Sequence, residues 1–175
     1  MLKTMKRLPN SFVILFILIL MLNYRATSQT SEFDLKAGFS VPEMFHFGSV
    51  YHFPENQQAG IKLGSNFVPG DIYNTATLIY GWHFGKTSTL GERKPWSLNS
   101  SYTITYRNNS HREGYLSYFS FYVTRDFFIT KKLFIEPELG PSIPAFDNTF
   151  IKDGKYGGYN LPFIIKFGFN VGYKL

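Results

Sequence analysis

The sequence has no cysteine and a small share of charged residues. Because none of its 175 residues is Cys, disulfide bonds, thiolate zinc sites and cysteine nucleophiles are all excluded. Charged residues make up 17% of the chain, whereas soluble domains usually contain about 25%. Beyond residue 28, no stretch keeps apolar residues at helical spacing for two turns. The composition therefore favours one domain without helices, whose many apolar side chains need either a core or lipid.

The excess of positive charge lies at the N-terminus. The formal net charge is +6, and residues 1–28 contain no acid but carry Lys3, Lys6, Arg7 and Arg25. The remaining 14 basic and 12 acidic residues leave about +2, without a downstream Lys/Arg cluster. We therefore expect no nucleic-acid partner.

Residues 1–28 have the three regions of a signal peptide. Basic Met1–Arg7 precedes the apolar run Phe12–Leu22, and Ala26-Thr27-Ser28 forms a small-x-small cleavage site. The alternative is a membrane-anchoring helix, but the run is shorter than the roughly 20 residues that span a bilayer. We predict export and cleavage after Ser28, which leaves residues 29–175 as the mature barrel domain.

The C-terminal stretch Leu161–Leu175 alternates with period two. One series is large and apolar, and the other consists of Lys166, Gly168, Asn170, Gly172 and Lys174. This pattern predicts a strand with two unlike faces, about as long as the roughly 9–11 residues that a tilted strand needs to cross a membrane. Seven earlier segments repeat it, weakly in the seventh: Phe33–Ser40, Met44–Phe53, Ala59–Phe67, Ile72–Phe84, Trp96–Arg107, Tyr115–Ile129 and Leu133–Gly140.

An even number of antiparallel strands brings the last strand beside the first. We therefore predict an all-β fold, a single antiparallel up-and-down barrel of about eight strands, closed by pairing of the C-terminal stretch with Phe33–Phe39. Aromatic residues make up 19% of the chain and recur on the apolar face, where they would overfill a small soluble barrel. The opposite face is rich in Gly, Ser, Thr and Asn. We predict that the apolar face meets lipid; a soluble barrel is the alternative.

Two polar connections and two aromatic belts complete the predicted barrel. Lys86–Pro95 is a polar loop that is longer than a typical periplasmic turn, so its orientation stays open, and Pro141–Asn160 is the longest irregular stretch, predicted to be an outer loop. The periplasmic rim is expected to carry Tyr51, Phe53, Tyr80, Trp82, Phe84, Trp96 and Tyr173. The outer rim is expected to carry Phe45, Phe67, Tyr106, Tyr115 and Phe163.

Charged residues recur in the series that would face the lumen. They are Lys36, Lys62, Arg107, Asp126, Glu136, Glu138, Lys166 and Lys174. Because an unpaired buried charge is costly, we predict that Glu136 and Glu138 neutralise Lys166 and Arg107, in a network with Lys62 that plugs the lumen.

The residues give no catalytic, metal or cofactor site. His46, His52 and His83 are expected in the lumen or at its rim, without converging ligand spacing for a metal ion. Ser110-His111 and Glu113 have the residue types of a hydrolase triad, but adjacency in sequence is not triad geometry.

Over residues 29–175 the chain resembles the small outer-membrane β-barrel proteins of Gram-negative bacteria. Its most specific element is Lys166–Tyr173, which looks like the polar-x-Gly-x-x-hydrophobic-x-hydrophobic signal on the final strand of these proteins. The resemblance implies that the barrel-assembly machinery reads this signal through Lys166, Gly168, Val171 and Tyr173. Many members end on Phe or Trp, whereas this chain ends on Leu175. The resemblance also implies localisation in the outer membrane among its lipids; we expect a monomer, and no external ligand is indicated.

Four functions fit these observations. The first is a non-enzymatic outer-membrane barrel with a structural or surface-contact role through its outer loops. The second is a small pore for ions or hydrophobic solutes, the third a lipid-modifying enzyme, and the fourth a secreted soluble carrier. Fold alone does not choose among them, so the choice depends on which face points outward and on what fills the lumen.

Overall fold

The computed structural model describes residues 32–152 and 163–175, so the predicted signal peptide lies outside the described residues. One short 3₁₀ turn spans Pro54–Asn56. Within the described part of the chain, no helix is long and apolar enough to cross a membrane. The strands are β1 Glu32–Val41, β2 Met44–His52, β3 Gln57–Ser65, β4 Ile72–Phe84, β5 Trp96–Asn108, β6 Arg112–Arg125, β7 Phe127–Phe128, β8 Leu133–Ile151 and β9 Ile164–Lys174.

The strands form one closed antiparallel sheet. Each strand from β1 to β6 pairs with its neighbour in sequence, β8 pairs with both β6 and β9, and β9 pairs with β1. The nine segments make eight barrel strands, because β6 and the two-residue β7 are separated only by Asp126 and both pair with β8. The predicted closure is confirmed, since Phe39 of β1 lies opposite Phe169 of β9.

The register shows that the closed sheet is sheared. From Phe39, the path of opposed residues through β2 to β6 reaches β8 at Asn148. The path through β9 reaches β8 at Pro137, eleven positions away. Closing a sheet into a barrel requires such a stagger, because the strands must tilt relative to the barrel axis.

The prediction of a loop from Pro141 to Asn160 was wrong for its first half. The segment up to Ile151 continues β8, which is the longest strand of the barrel, and residues 153–162 lie outside the described part. Pro144 is the partner of Tyr118 and lies at a register shift with β6, which leaves Ala145 between the partners of Ser117 and Tyr118. A proline is tolerated at such an irregularity, where the ladder has no need of its N–H.

The two faces of the sheet are inverted relative to a soluble barrel. Lys166 and Asn170 of β9 are 0% exposed, whereas Phe167 and Phe169, which lie between them in the sequence, are 52% and 53% exposed. The other strands repeat this alternation, with polar side chains inside and large apolar side chains outside. An apolar exterior is stable only against lipid, so the predicted membrane barrel is confirmed and the soluble carrier is excluded. Closed barrels of this kind belong to the outer membrane.

The rims are identified by the ends of the strands. At the end of the barrel where β1 begins and β9 ends, called here the terminal end, lie the β2–β3 turn, the β4–β5 loop and the turn 129–132. At the opposite end lie the two-residue turn Pro42–Glu43 and the connections 66–71 and 109–111. Aromatic pairs lie at both rims, and one of them is Tyr51 with Phe53 at the terminal end.

Candidate functional site

The middle of the lumen is filled by charged side chains from four strands. Lys36 of β1 contacts Glu136 of β8 at 2.6 Å between Nζ and Oε2, and Lys62 of β3 contacts Glu138 at 3.1 Å. Lys166 of β9 lies 3.4 Å from the other carboxylate oxygen of Glu138. All of these side chains are at most 3% exposed. The structure thus brings together four of the predicted network residues, Lys62, Glu136, Glu138 and Lys166.

Arg107 is not where the predicted network required it. It lies near the end of β5 at the opposite end of the barrel and forms an ion pair with Asp71 at 3.7 Å between Nε and Oδ1. The two side chains are 27% and 44% exposed, so this pair is at the rim and in contact with water. The physical reason is position along the strand: Arg107 shares the inward parity of β5 but lies beyond the depth of Glu136 and Glu138.

At the opposite end, the hairpin turn between β1 and β2 closes the lumen with Glu43. Its side chain is 0% exposed; Lys166 donates to Oε1 and the Ser40 hydroxyl donates to Oε2 at 2.9 Å. The backbone carbonyl of Glu43 accepts from the hydroxyl of Thr75 on β4 at 3.1 Å, and its carboxylate lies 3.5 Å from the hydroxyl of Thr103 on β5. The turn therefore reaches from β1 across the lumen to the strands on the far side.

The lysines and glutamates of this core balance. The cations Lys36, Lys62 and Lys166 face the same number of carboxylates, those of Glu43, Glu136 and Glu138. Burying an ion is expensive unless it is paired and hydrogen-bonded, and each of these ions has a partner of opposite charge. A cavity of about 10 Å³ lies beside this core, about the space of one water molecule.

Asn170 links the glutamates to a histidine. Its amide nitrogen donates to Glu136 at 2.8 Å, and its oxygen lies 2.6 Å from Nε2 of His46. Nδ1 of His46 lies 3.4 Å from the Ser40 hydroxyl, so serine, histidine and amide form a line, as in some hydrolases. However, the Ser40 hydroxyl donates to Glu43 at the shorter distance of 2.9 Å, and Ser40 is 0% exposed. This line stabilises the core and offers no accessible nucleophile.

The terminal end is closed by Arg93 from the β4–β5 loop. Its guanidinium lies 2.6 Å from Asp34 of β1 and 2.7 Å from Asp126, the residue between β6 and β7. The same group lies over the rings of Phe128 and Phe134, at 5.3 and 4.8 Å from their centroids. Arg93 is thus held by two carboxylates and two rings, and the loop that carries it folds into the mouth of the lumen.

Two glycines of the inward series lie where a side chain would not fit. A Cβ at Gly172 would collide with the ring of Phe134, whereas a Cβ at Gly140 would collide with the backbone carbonyl of Phe121 and with Cα and Cβ of Tyr122. Phe134 and Tyr122 are buried in the lumen, and Lys166 lies over the Tyr122 ring at 4.7 Å. Gly172 thus makes room for the ring that backs Lys36 and Arg93, while Gly140 allows the backbone of β6 to lie close to β8.

The histidines have structural partners. His52 contacts Asp34 at 2.8 Å, and His83 contacts the carbonyl of Lys94 at 3.0 Å, so both hold the Arg93 region in place. His111 is exposed in the β5–β6 turn, while Glu113 accepts a hydrogen bond from Tyr106. Among the described residues, no group of three or more His, Asp or Glu side chains could hold a metal ion.

Sequence reasoning missed the two residues that close the ends. Glu43 and Arg93 lie in connections, where period two assigns no inward or outward face. The inward position of Asp34 could have been predicted, because Asp34 lies two residues before Lys36 on β1 and so faces the same side.

The proposed assembly signal spans both faces of β9. Lys166 and Gly168 lie on the lumen face of the strand, whereas Val171 and Tyr173 are 45% and 46% exposed on the outer face. The two classes of position in the signal therefore coincide with the two faces of the closing strand.

Comparisons with known proteins give two structural likenesses. No protein-family model and no curated protein matches the sequence. The barrel is similar in structure to a major outer membrane protein from Thermus thermophilus, with 10% identity and a TM-score of 0.49, over 84% of this chain and 100% of that chain. It is also similar to the N-terminal β-barrel domain of Pseudomonas aeruginosa OprF, with 13% identity and a TM-score of 0.45, over 83% of this chain and 96% of that chain.

Proposed function

We propose that this chain is a non-enzymatic outer-membrane barrel whose lumen is sealed by its own charges and which serves a structural or surface-contact role. The observation that carries the proposal is the contiguous ion network from Glu43 through Lys166 and Glu138 to Lys62. It joins the β1–β2 turn, β9, β8 and β3, so it spans the lumen instead of lining one wall. A conducting path would need these paired ions to separate, which costs several kcal/mol per ion, by order of magnitude.

Conductance in planar bilayers tests the seal. We expect purified wild-type barrel to give no stable steps. Stable ion-selective steps that Lys166→Glu abolishes would overturn the proposal and favour the small pore. The double variant Arg93→Ser/Glu43→Ser removes the closing residue from each end, and we expect it to conduct more often than either single variant, because each single variant keeps one seal. Heat-modifiable migration on a gel checks that every variant is a folded barrel.

The structure favours this role over a lipid-modifying enzyme. An enzyme needs a nucleophile and a base that a substrate can reach, and the Ser40–His46 pair is enclosed in the network. Mass spectrometry of lipid A after overexpression is the direct test, and a mass change that Ser40→Ala abolishes would contradict the non-enzymatic role.

The final strand carries the proposed contact with the barrel-assembly machinery. We infer that Val171 and Tyr173, which project outward, are the side chains presented to the machinery, while Gly168 allows close approach to Ser40 of β1 when the barrel closes. Tyr173→Ser should lower the amount of assembled barrel in the membrane fraction, and the outward Ile165→Ser on the same strand is the matched control. Equal losses in the two variants would show a general effect of outer-face polarity.

A further inference from the structure

The outer surface of the terminal end holds an arginine without a carboxylate partner among the described residues. Arg125 is the last residue of β6, and it lies directly opposite Trp96, the first residue of β5. Its guanidinium lies 4.9 Å from the centroid of the Trp96 indole and 4.7 Å from the centroid of the Phe127 ring. We call these three residues the Arg125 clamp.

The clamp faces lipid and not the lumen. Trp96 and Phe127 are 38% and 47% exposed on the outer face, and Arg125 is exposed between them. Its inward neighbours Thr124 and Asp126 are buried. Because the clamp is made of the last residue of one strand and the first of the next, it lies at the rim, where headgroups meet the barrel.

Arg125 differs from the cations of the lumen that also lie over rings. Arg93 and Lys166 also lie over rings, but each is neutralised by carboxylates. Lys131, in the adjacent turn, pairs with Glu92 at 3.6 Å. Within residues 32–152 and 163–175, Arg125 has ring contacts and no carboxylate at ion-pair distance.

We propose that the Arg125 clamp binds the phosphate of an anionic phospholipid such as phosphatidylglycerol. The two rings hold the planar guanidinium and leave its N–H edge free for the paired oxygens of a phosphate. The indole N–H of Trp96 is a further donor without a partner in the described part of the chain, while the indole of Trp82 at the same rim donates to the carbonyl of Glu55. The acyl chains would lie on the apolar strip below the clamp, where Leu98 and Val123 are exposed.

The rest of the rim favours an anionic lipid over a zwitterionic one. Lys132 lies over the Tyr173 ring at 5.7 Å, a second exterior cation backed by an aromatic ring at the same end. Among the described residues, all exterior cation–ring pairs lie at the terminal end, and those of Lys36, Arg93 and Lys166 are in the lumen. A positive rim attracts a lipid with net negative charge, which phosphatidylcholine lacks.

Native mass spectrometry of the detergent-solubilised barrel measures this binding. Phosphatidylglycerol and phosphatidylcholine with the same acyl chains are titrated separately, and the fraction of protein carrying one lipid is compared. We expect wild type to prefer phosphatidylglycerol and Arg125→Gln to bind it about tenfold more weakly, as for loss of a hydrogen-bonded charge. The control Lys131→Gln removes an exposed cation of the same rim and should keep the preference.

Arg125→Lys separates planar recognition from charge alone. The lysine keeps the charge but lacks the planar guanidinium that lies between the rings, so we expect it to lose most of the preference for phosphatidylglycerol. Equal binding of both lipids by wild type, or equal losses in Arg125→Gln and Lys131→Gln, would overturn the proposal. Displacement of the lipid by millimolar inorganic phosphate would overturn it too, by showing a site for free anions instead. Heat-modifiable migration verifies that each variant is folded, and Arg125→Lys carries the test if Arg125→Gln does not fold.

Discussion

The two ends of the lumen are closed by opposite charges that come from different kinds of connection. At the opposite end, a two-residue turn supplies the anion Glu43, which is completely buried against Lys166. At the terminal end, the longer β4–β5 loop supplies the cation Arg93, whose side chain remains 10% exposed between Asp34 and Asp126. A short turn places its charge deep because both flanking strands direct it inward, whereas a loop needs several contacts to hold its charge at the mouth.

The two closing residues also differ in their relation to the ion network in the middle of the lumen. Glu43 belongs to the ion network of the core, through Lys166 and Glu138. Arg93 pairs with two carboxylates that lie apart from that network, and the loop is further fixed by Lys174, which donates to the carbonyl of Gly91 at 3.3 Å. Variants at the two ends should therefore differ in cost and in how far the damage spreads.

The largest effect is expected for Lys166→Met. The change leaves Glu43 without its lysine and removes one of the two lysines beside Glu138, in a part of the lumen that excludes water. Removing one partner of a buried pair costs about 3–5 kcal/mol, so we expect a loss of that size in the free energy of unfolding. Urea unfolding of the barrel in lipid vesicles measures it.

A second variant tests whether that cost comes from the unpaired carboxylate of Glu43. Lys166→Met/Glu43→Gln removes both charges, and it should be more stable than Lys166→Met alone if the unpaired charge is responsible. A double variant that is as unstable as the sum of its single variants would show that Glu43 and Lys166 act independently.

A smaller effect, about 3 kcal/mol, is expected for Arg93→Met. Asp34 and Asp126 both lose their arginine, but they lie at the mouth, where water can enter and reduce the penalty. The stem of Met keeps part of the packing on Phe128 and Phe134, so the loss reports mainly on charge. Urea unfolding gives the free energy, and proteolysis of the β4–β5 loop should become faster than in wild type. If Arg93→Met lost more free energy of unfolding than Lys166→Met, the terminal end and not the opposite end would contribute more to stability.

The sequence predicted the parts of this comparison that follow from strand periodicity. Period two placed Lys62, Glu136, Glu138 and Lys166 inside, because a strand in a membrane barrel has one face for lipid and one for the lumen. It could not place Glu43 or Arg93, because residues in turns and loops have no repeating face. It also misjudged residues 141–151, since their prolines predict a loop while pairing with β6 and a register shift at Pro144 keep them in β8.

An effect of about 1 kcal/mol is expected for Thr77→Val in the middle of the lumen, where Thr77 lies opposite Lys62. The hydroxyl of Thr77 bonds that of Thr103 at 2.9 Å, and Thr103 in turn lies beside the carboxylate of Glu43. Valine has nearly the same volume, so the change removes one buried hydrogen bond and little else. Urea unfolding measures the loss. The exposed Thr89→Val, in the β4–β5 loop, is the matched control for an unburied hydroxyl, and a loss as large there would remove the link between burial and cost.

The smallest effect is expected for Lys131→Ala at the terminal end. Lys131 pairs with Glu92 in the same loop as Arg93, but the two side chains are 76% and 66% exposed. Exposed ion pairs contribute about 0.5 kcal/mol, because water screens them and the side chains lose freedom. We therefore expect urea unfolding and loop proteolysis close to those of wild type. If loop proteolysis instead rises as much as in Arg93→Met, the loop is held by its surface contacts, and the buried guanidinium is not what keeps the mouth closed.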